Sequence, residues 1–168
     1  MYIRIKPVKS HEYAYLIENK WDKRTKKIKK KFKAYFGKVH RVQRTNNLEP
    51  DQIIFETLAF KQIIKHIINL ELKNHGFKEK NGGLYADKIT LDLNNLQVLS
   101  ADKPITLLIN GGFLNSYTLD SLLNFEINTA SQINEGKKLA KLLVLSGIKI
   151  KPEQFISLFQ KLYKNKQE

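Results

Sequence analysis

Apolar and polar positions alternate with a period of two along the first forty residues, and later segments switch to helical spacing. Ile3 and Ile5 alternate with Tyr2, Arg4 and Lys6. Tyr13, Tyr15 and Ile17 alternate with Ala14, Leu16 and Glu18. Ile28, Phe32, Ala34 and Phe36 fall opposite Lys29, Lys31, Lys33 and Tyr35. Successive strand residues point to opposite faces, so each run predicts a strand. Polar breaks at 7–10 and 22–26 make the three an antiparallel meander with one apolar face and one face of lysine and tyrosine.

The polar tract KVHRVQRTNN after Gly37 reads as a linker. Ile54, Leu58, Ile64, Ile68 and Leu72 then recur at helical spacing, joined by Phe55, Ile63 and Ile67. Pro50 suits the first turn and Gly76 the position past the end, so one helix is predicted over 50–75. Its apolar stripe is broad enough to suggest a homodimer through this helix. Further on, Asn81-Gly82-Gly83 signals a hairpin turn, Ile89, Leu91 and Leu93 alternate, and Asn94-Asn95 breaks the pattern. The apolar run over 105–110 fits a strand buried on both faces, with a turn at Gly111-Gly112. Thr118 then offers an N-cap for a helix carrying Leu119, Leu122 and Leu123. A second helix over 135–146 ends at Gly147, and a third starts at Pro152. The expected class is α+β: a basic three-stranded antiparallel N-terminal sheet, a long amphipathic helix, a small central sheet and C-terminal helices. The organisation reads as a basic module over 1–45 and an α+β core domain over 46–168.

Charge changes the picture more than composition does. Fifteen Lys and Arg face only Glu12, Glu18 and Asp22 within residues 1–45, which places +12 of the chain's +14 there. A folded surface gains nothing from repelling itself, so this asymmetry points to a polyanionic partner. The absence of cysteine removes disulfide and thiolate chemistry and fits a cytoplasmic protein. No apolar run has the length needed to span a bilayer, so no membrane partner is expected.

Lysine outnumbers arginine eleven to four in the basic segment. Lysine suits phosphate as a point charge, whereas bidentate reading of base edges favours arginine. Interleaved aromatic rings offer stacking surfaces for unpaired bases. The expected function is therefore non-catalytic binding of nucleic acid with low sequence specificity, a single strand favoured over a duplex. The residues expected to carry it are Arg4, Lys6, Tyr13, Tyr15, Trp21, Lys23, Arg24, Lys26, Lys27, Lys29, Lys31, Lys33, Tyr35, Lys38 and Arg41.

Two other classes compete. A small metal-dependent nuclease would draw on Pro50-Asp51 and Glu71-Leu72-Lys73, yet residues two apart on a helix face different directions, and Glu71 reads as a solvated helix residue. Asp87, Asp92 and Asp102 suit turns and strand edges. His11, His40, His66 and His75 show no metal-ligand spacing, and His66 and His75 are expected on a polar helix face. Neither catalytic residues, nor a metal, nor a cofactor is therefore assigned. The third class is a protein-interaction factor whose basic sheet docks on an acidic partner or a ribonucleoprotein.

Tyr2, Ile3, Arg4 and Lys6, then Tyr13, Tyr15, Leu16, Ile17 and Glu18, and finally Gly37 and Lys38 form a recognisable order. It resembles the short N-terminal module of DDE-type insertion-sequence transposases: Tyr-aliphatic-Arg-x-Lys, a basic turn, Tyr-x-Tyr-Leu-aliphatic-Glu, and a closing Gly-Lys. The resemblance covers roughly 40 of 168 residues, and no carboxylate triad of the family's longer catalytic domain can be placed here. It implies contact with nucleic acid and gives no support for transposition.

Overall fold

A computed structural model describes residues 1–127 and 131–164, and among them nine strands and five helices form a mixed α+β architecture. The period-two segment folds into three antiparallel strands: β1 (Tyr2–Val8), β2 (His11–Asp22) and β3 (Lys27–Arg41). β3 does not end at Gly37. Its last four residues pair in parallel with β8 (Lys103–Ile109), so the tract expected to be a linker begins as strand. The expected small central sheet is likewise part of something larger. β4 (Lys78–Lys80), β5 (Gly83–Ala86), β6 (Ile89–Asp92) and β7 (Gln97–Ser100) form an antiparallel meander that continues into β8. One sheet therefore runs β1-β2-β3-β8-β7-β6-β5-β4, with β9 (Gly112–Leu114) also on β8. It crosses the boundary drawn between residues 45 and 46.

Gly37 makes the junction between β3 and β8. Its φ is +80°, and a Cβ there would sit 1.7 Å from the Pro104 carbonyl oxygen. Only glycine allows both the left-handed conformation and so close a backbone approach. Next to it, the Thr106 hydroxyl donates to the Phe36 carbonyl at 3.0 Å.

The helix expected over 50–75 is two helices, α1 (Gln52–Thr57) and α2 (Phe60–Asn74), separated by extended Leu58 and Ala59. A side chain supports the break: the Gln62 side-chain carbonyl accepts from the Ala59 amide, an N–H that a continuous helix would have bonded to the Phe55 carbonyl. The Asp51 carboxylate caps the start of α1 by accepting from the Ile53 amide. The breadth of the apolar stripe is thus shared between two helices. Ile63, Ile64, Ile67, Ile68 and Leu72 of α2 are all buried in one cluster with Ile105, Leu107 and Ile109 of β8. The chain itself covers the stripe that suggested a homodimer. α3 (Ser116–Leu123) begins earlier than Thr118 implied, because Asn115 is its N-cap and accepts from the Thr118 amide at 3.1 Å. α4 (Gln132–Ser146) is closed by left-handed Gly147, and α5 (Pro152–Lys164) completes the described chain. Among the described residues, no helix is long and apolar enough to cross a membrane.

A second, smaller cluster lies under the N-terminal strands. Ala14, Leu16, Phe36 and Val39 pack with Ile3, Ile5, Ala34, Leu108 and Tyr117. The Tyr117 ring of α3 stacks on Phe36 with centroids 5.8 Å apart. One face of the meander is thereby fastened to the body of the protein, and the other is left outward.

Candidate nucleic-acid interface

Which side chains share the outward face is decided by two irregularities in β3. The β2–β3 register passes from Tyr13 opposite Lys38 to Tyr15 opposite Tyr35, and from Leu16 opposite Ala34 to Ile17 opposite Phe32. Each step spends one extra residue on β3, as a β-bulge does, and shifts the phase of its side chains. Directly opposed residues share a face, so the outward face can be read off the register. Along it run Trp21 with Ile28, Asn19 with Lys30, Ile17 with Phe32 and Tyr2, Tyr15 with Tyr35 and Arg4, and Tyr13 with Lys38 and Lys6. From Tyr13 to Trp21 this track is about 27 Å long at ~3.4 Å per strand residue.

The grouping of Lys29, Lys31 and Lys33 with Tyr35 is therefore corrected. Lys29 and Lys31 oppose Lys20 and Glu18 on the other face, and Phe32 and Lys30 take the places beside the tyrosines. Strict alternation failed because the extra residue near Lys33 inverts the pattern on either side of it.

The outward face holds a contiguous set of rings. Tyr15 meets Tyr35 at 5.4 Å and Phe32 at 6.1 Å between centroids, and Tyr13 meets Tyr35 at 6.2 Å. The Lys6 ammonium lies over the Tyr15 ring, 5.1 Å from its centroid. Cross-strand packing accounts for the ring-to-ring contacts. It does not account for the exposure: Phe32 is 57% exposed, Trp21 57%, Ile28 60% and Tyr35 47%. Large apolar side chains left in water side by side mark a surface that meets something else. Partial burial pushes the Tyr35 hydroxyl above its usual pKa, with Tyr13 and Tyr15 adding to the effect.

Charge is sorted between the two faces. All three carboxylates of the first 45 residues lie away from the rings, and each holds a cation. Glu12 pairs with Arg41 at 2.6 Å, Glu18 with Lys33 at 3.0 Å, and Asp22 with Lys29 at 2.5 Å. Lys33 and Lys29 hold the carboxyls of Glu18 and Asp22 below their ordinary values. Among the described residues, no ion pair engages Arg4, Lys6, Lys30 or Lys38 on the aromatic side.

Of the fifteen residues singled out in the sequence, Arg4, Lys6, Tyr13, Tyr15, Trp21, Tyr35 and Lys38 share the outward face. Lys23, Arg24 and Lys26 form the exposed tip between β2 and β3, where the Asp22 carboxylate accepts from the Arg24 amide. Lys27, Lys29, Lys31, Lys33 and Arg41 are elsewhere. Sequence reasoning missed Tyr2, Ile28, Lys30 and Phe32: the alternation of β1 already puts Tyr2 with Arg4 and Lys6, whereas the other three depend on the extra residue near Lys33, which no glycine or proline signals.

The carboxylates weighed for nuclease chemistry serve other ends. Asp51 caps α1, and the Asp92 carboxylate accepts from the amides of Asn94 and Asn95. Asp87 and Asp102 sit at left-handed turn positions. Glu71 is not solvated but buried, accepting from Arg44 at 2.9 Å and from the Asn110 amide at 2.6 Å. His75 is buried against it with Nδ1 3.4 Å from Oε1, whereas His66 is exposed as expected. Among the described residues, no three His, Asp or Glu side chains are grouped as metal ligands. No protein-family model, curated protein or solved structure matches this chain.

Proposed function

We propose that the outward face of the N-terminal meander binds single-stranded nucleic acid without strong sequence preference and without catalysis. The observation that carries the reading is the pairing of exposed rings with unpaired cations on one face, while every nearby carboxylate lies on the other. Unpaired bases stack on Tyr15, Phe32, Tyr35 and Trp21, each stacked base contributing about 1–3 kcal/mol. Arg4, Lys6, Lys30 and Lys38 flank the rings and meet phosphates as point charges. A duplex hides the faces of its bases and offers only its backbone, so the exposed rings favour a strand whose bases can splay. The resemblance of the opening residues to a transposase N-terminal module points to the same class of ligand.

Fluorescence anisotropy with labelled single- and double-stranded DNA and RNA of mixed sequence tests the proposal. Single strands are expected to bind more tightly than duplexes. With four phosphate contacts, log K should fall with log salt at a slope of about −3, from ~0.7 per contact. A slope near zero, or a preference for duplex, would overturn it.

A further inference from the structure

α4 and α5 enclose a second surface that the meander does not touch. Two adjoining cavities of about 420 and 440 Å³ share Ala140 and Phe155 and run as one groove between the helices. Small Gly136 and Ala140 form the floor, and a Cβ on Gly136 would meet the Phe159 ring at 3.3 Å. Phe155 and Phe159 make one wall, their rings nearly parallel at 6.0 Å. Ile133 and Val144 stand at the two ends of the α4 side, 71% and 74% exposed. Ile133, Ala140 and Val144 repeat at helical spacing and span about 16 Å, or three turns, at ~1.5 Å per residue. Among the described residues, the charged side chains lining the groove are Lys137, Lys149 and Lys151 and none is acidic; Lys151 already pairs with Glu49 at 2.5 Å, which leaves Lys137 and Lys149 as the cations of the rim without an ion pair.

We infer that this groove receives an acidic amphipathic helix of a partner protein, about three turns long. The partner's apolar residues at i, i+4 and i+7 fill the space between α4 and α5, and its Asp or Glu side chains meet the lysine rim. A second copy of this chain is a poor occupant. Self-pairing about a two-fold axis sets each groove against itself, lysine rim on lysine rim. Nucleic acid suits the rim and leaves the apolar floor unfilled.

A display library of randomised 16-residue peptides, selected on the full chain and counter-selected on Val144→Asp, tests the inference. Val144 is exposed, so this substitution leaves the core intact, and Ile133→Asp gives an independent second variant. Enriched peptides are expected to share apolar residues at i, i+4 and i+7 and a net negative charge. A labelled winner should bind Val144→Asp and Ile133→Asp at least tenfold more weakly, yet bind Phe32→Ala as well as the unaltered chain. No enrichment over counter-selection, or enrichment without the acidic bias, would overturn the inference. So would a concentration-dependent dimer in sedimentation that Val144→Asp abolishes, because the groove would then belong to a second copy.

Discussion

Replacing Gly37 with alanine should detach the meander from the body of the protein. Two costs separate cleanly here. The first is conformational: an alanine at φ +80° costs about 1–2 kcal/mol. The second is steric. The new Cβ would lie 1.7 Å from the Pro104 oxygen and 2.5 Å from its carbon, where ordinary contact needs at least 3.4 Å. Opening β3 from β8 by that margin weakens the parallel ladder over Lys38–Arg41, each hydrogen bond worth about 1 kcal/mol net. It also loosens Phe36 and Val39 in the smaller cluster. The total should reach about 4 kcal/mol, at the severe end for one substitution. Gly82→Ala and Gly111→Ala supply the control, since both glycines have nearly the same φ and nothing within 4 Å of a built Cβ. Urea unfolding followed by circular dichroism should place Gly37→Ala at least about 2 kcal/mol below either control. Equal costs at the three positions would refute the close approach as the reason for this glycine.

Arg44→Ala should cost about 3 kcal/mol in the same assay, because it strips a cation from the buried Glu71 carboxylate. Adding Glu71→Gln to that variant should recover part of the loss. Asp92 is held below the ordinary aspartate value of 3.8, first by the Asn95 amide and then by the Asn95 side chain. A depressed folded-state pKa means that its stabilisation is present above 3.8 and lost as pH falls through the lower folded value. The melting temperature of the unaltered chain should therefore exceed that of Asp92→Ala at pH 6, with the gap narrowing below about pH 4.

Most elements were legible because their signals are local. Asn81-Gly82 takes left-handed φ at both positions, as a two-residue hairpin demands, and Gly147 and Pro152 bound their helices. The 105–110 run is a buried strand because it lies between neighbours, which its continuous apolar pattern announced. What was lost is what depends on distant partners. A strand continuing past Gly37 needs β8, some seventy residues away, to reveal itself. The break at Leu58 and Ala59 is invisible to a periodicity in which two short helices mimic one long one. Glu71 looked solvated because nothing local foretells Arg44 and Asn110. The candidate interface was half legible: tyrosines and charge were apparent, but two bulges decided which lysines accompany them.

The most direct test of the account compares the two faces of the meander. Tyr15→Ala with Phe32→Ala removes two stacking surfaces, and affinity for a labelled single-stranded 12-mer at physiological salt should fall by about 30-fold or more. Lys29→Gln, Lys31→Gln and Lys33→Gln together remove three charges from the opposite face. There the change should stay within about threefold, because charges farther than a Debye length of about 8 Å from the ligand are screened. A loss that follows the three lysines and spares the two rings would contradict the assignment of the aromatic face.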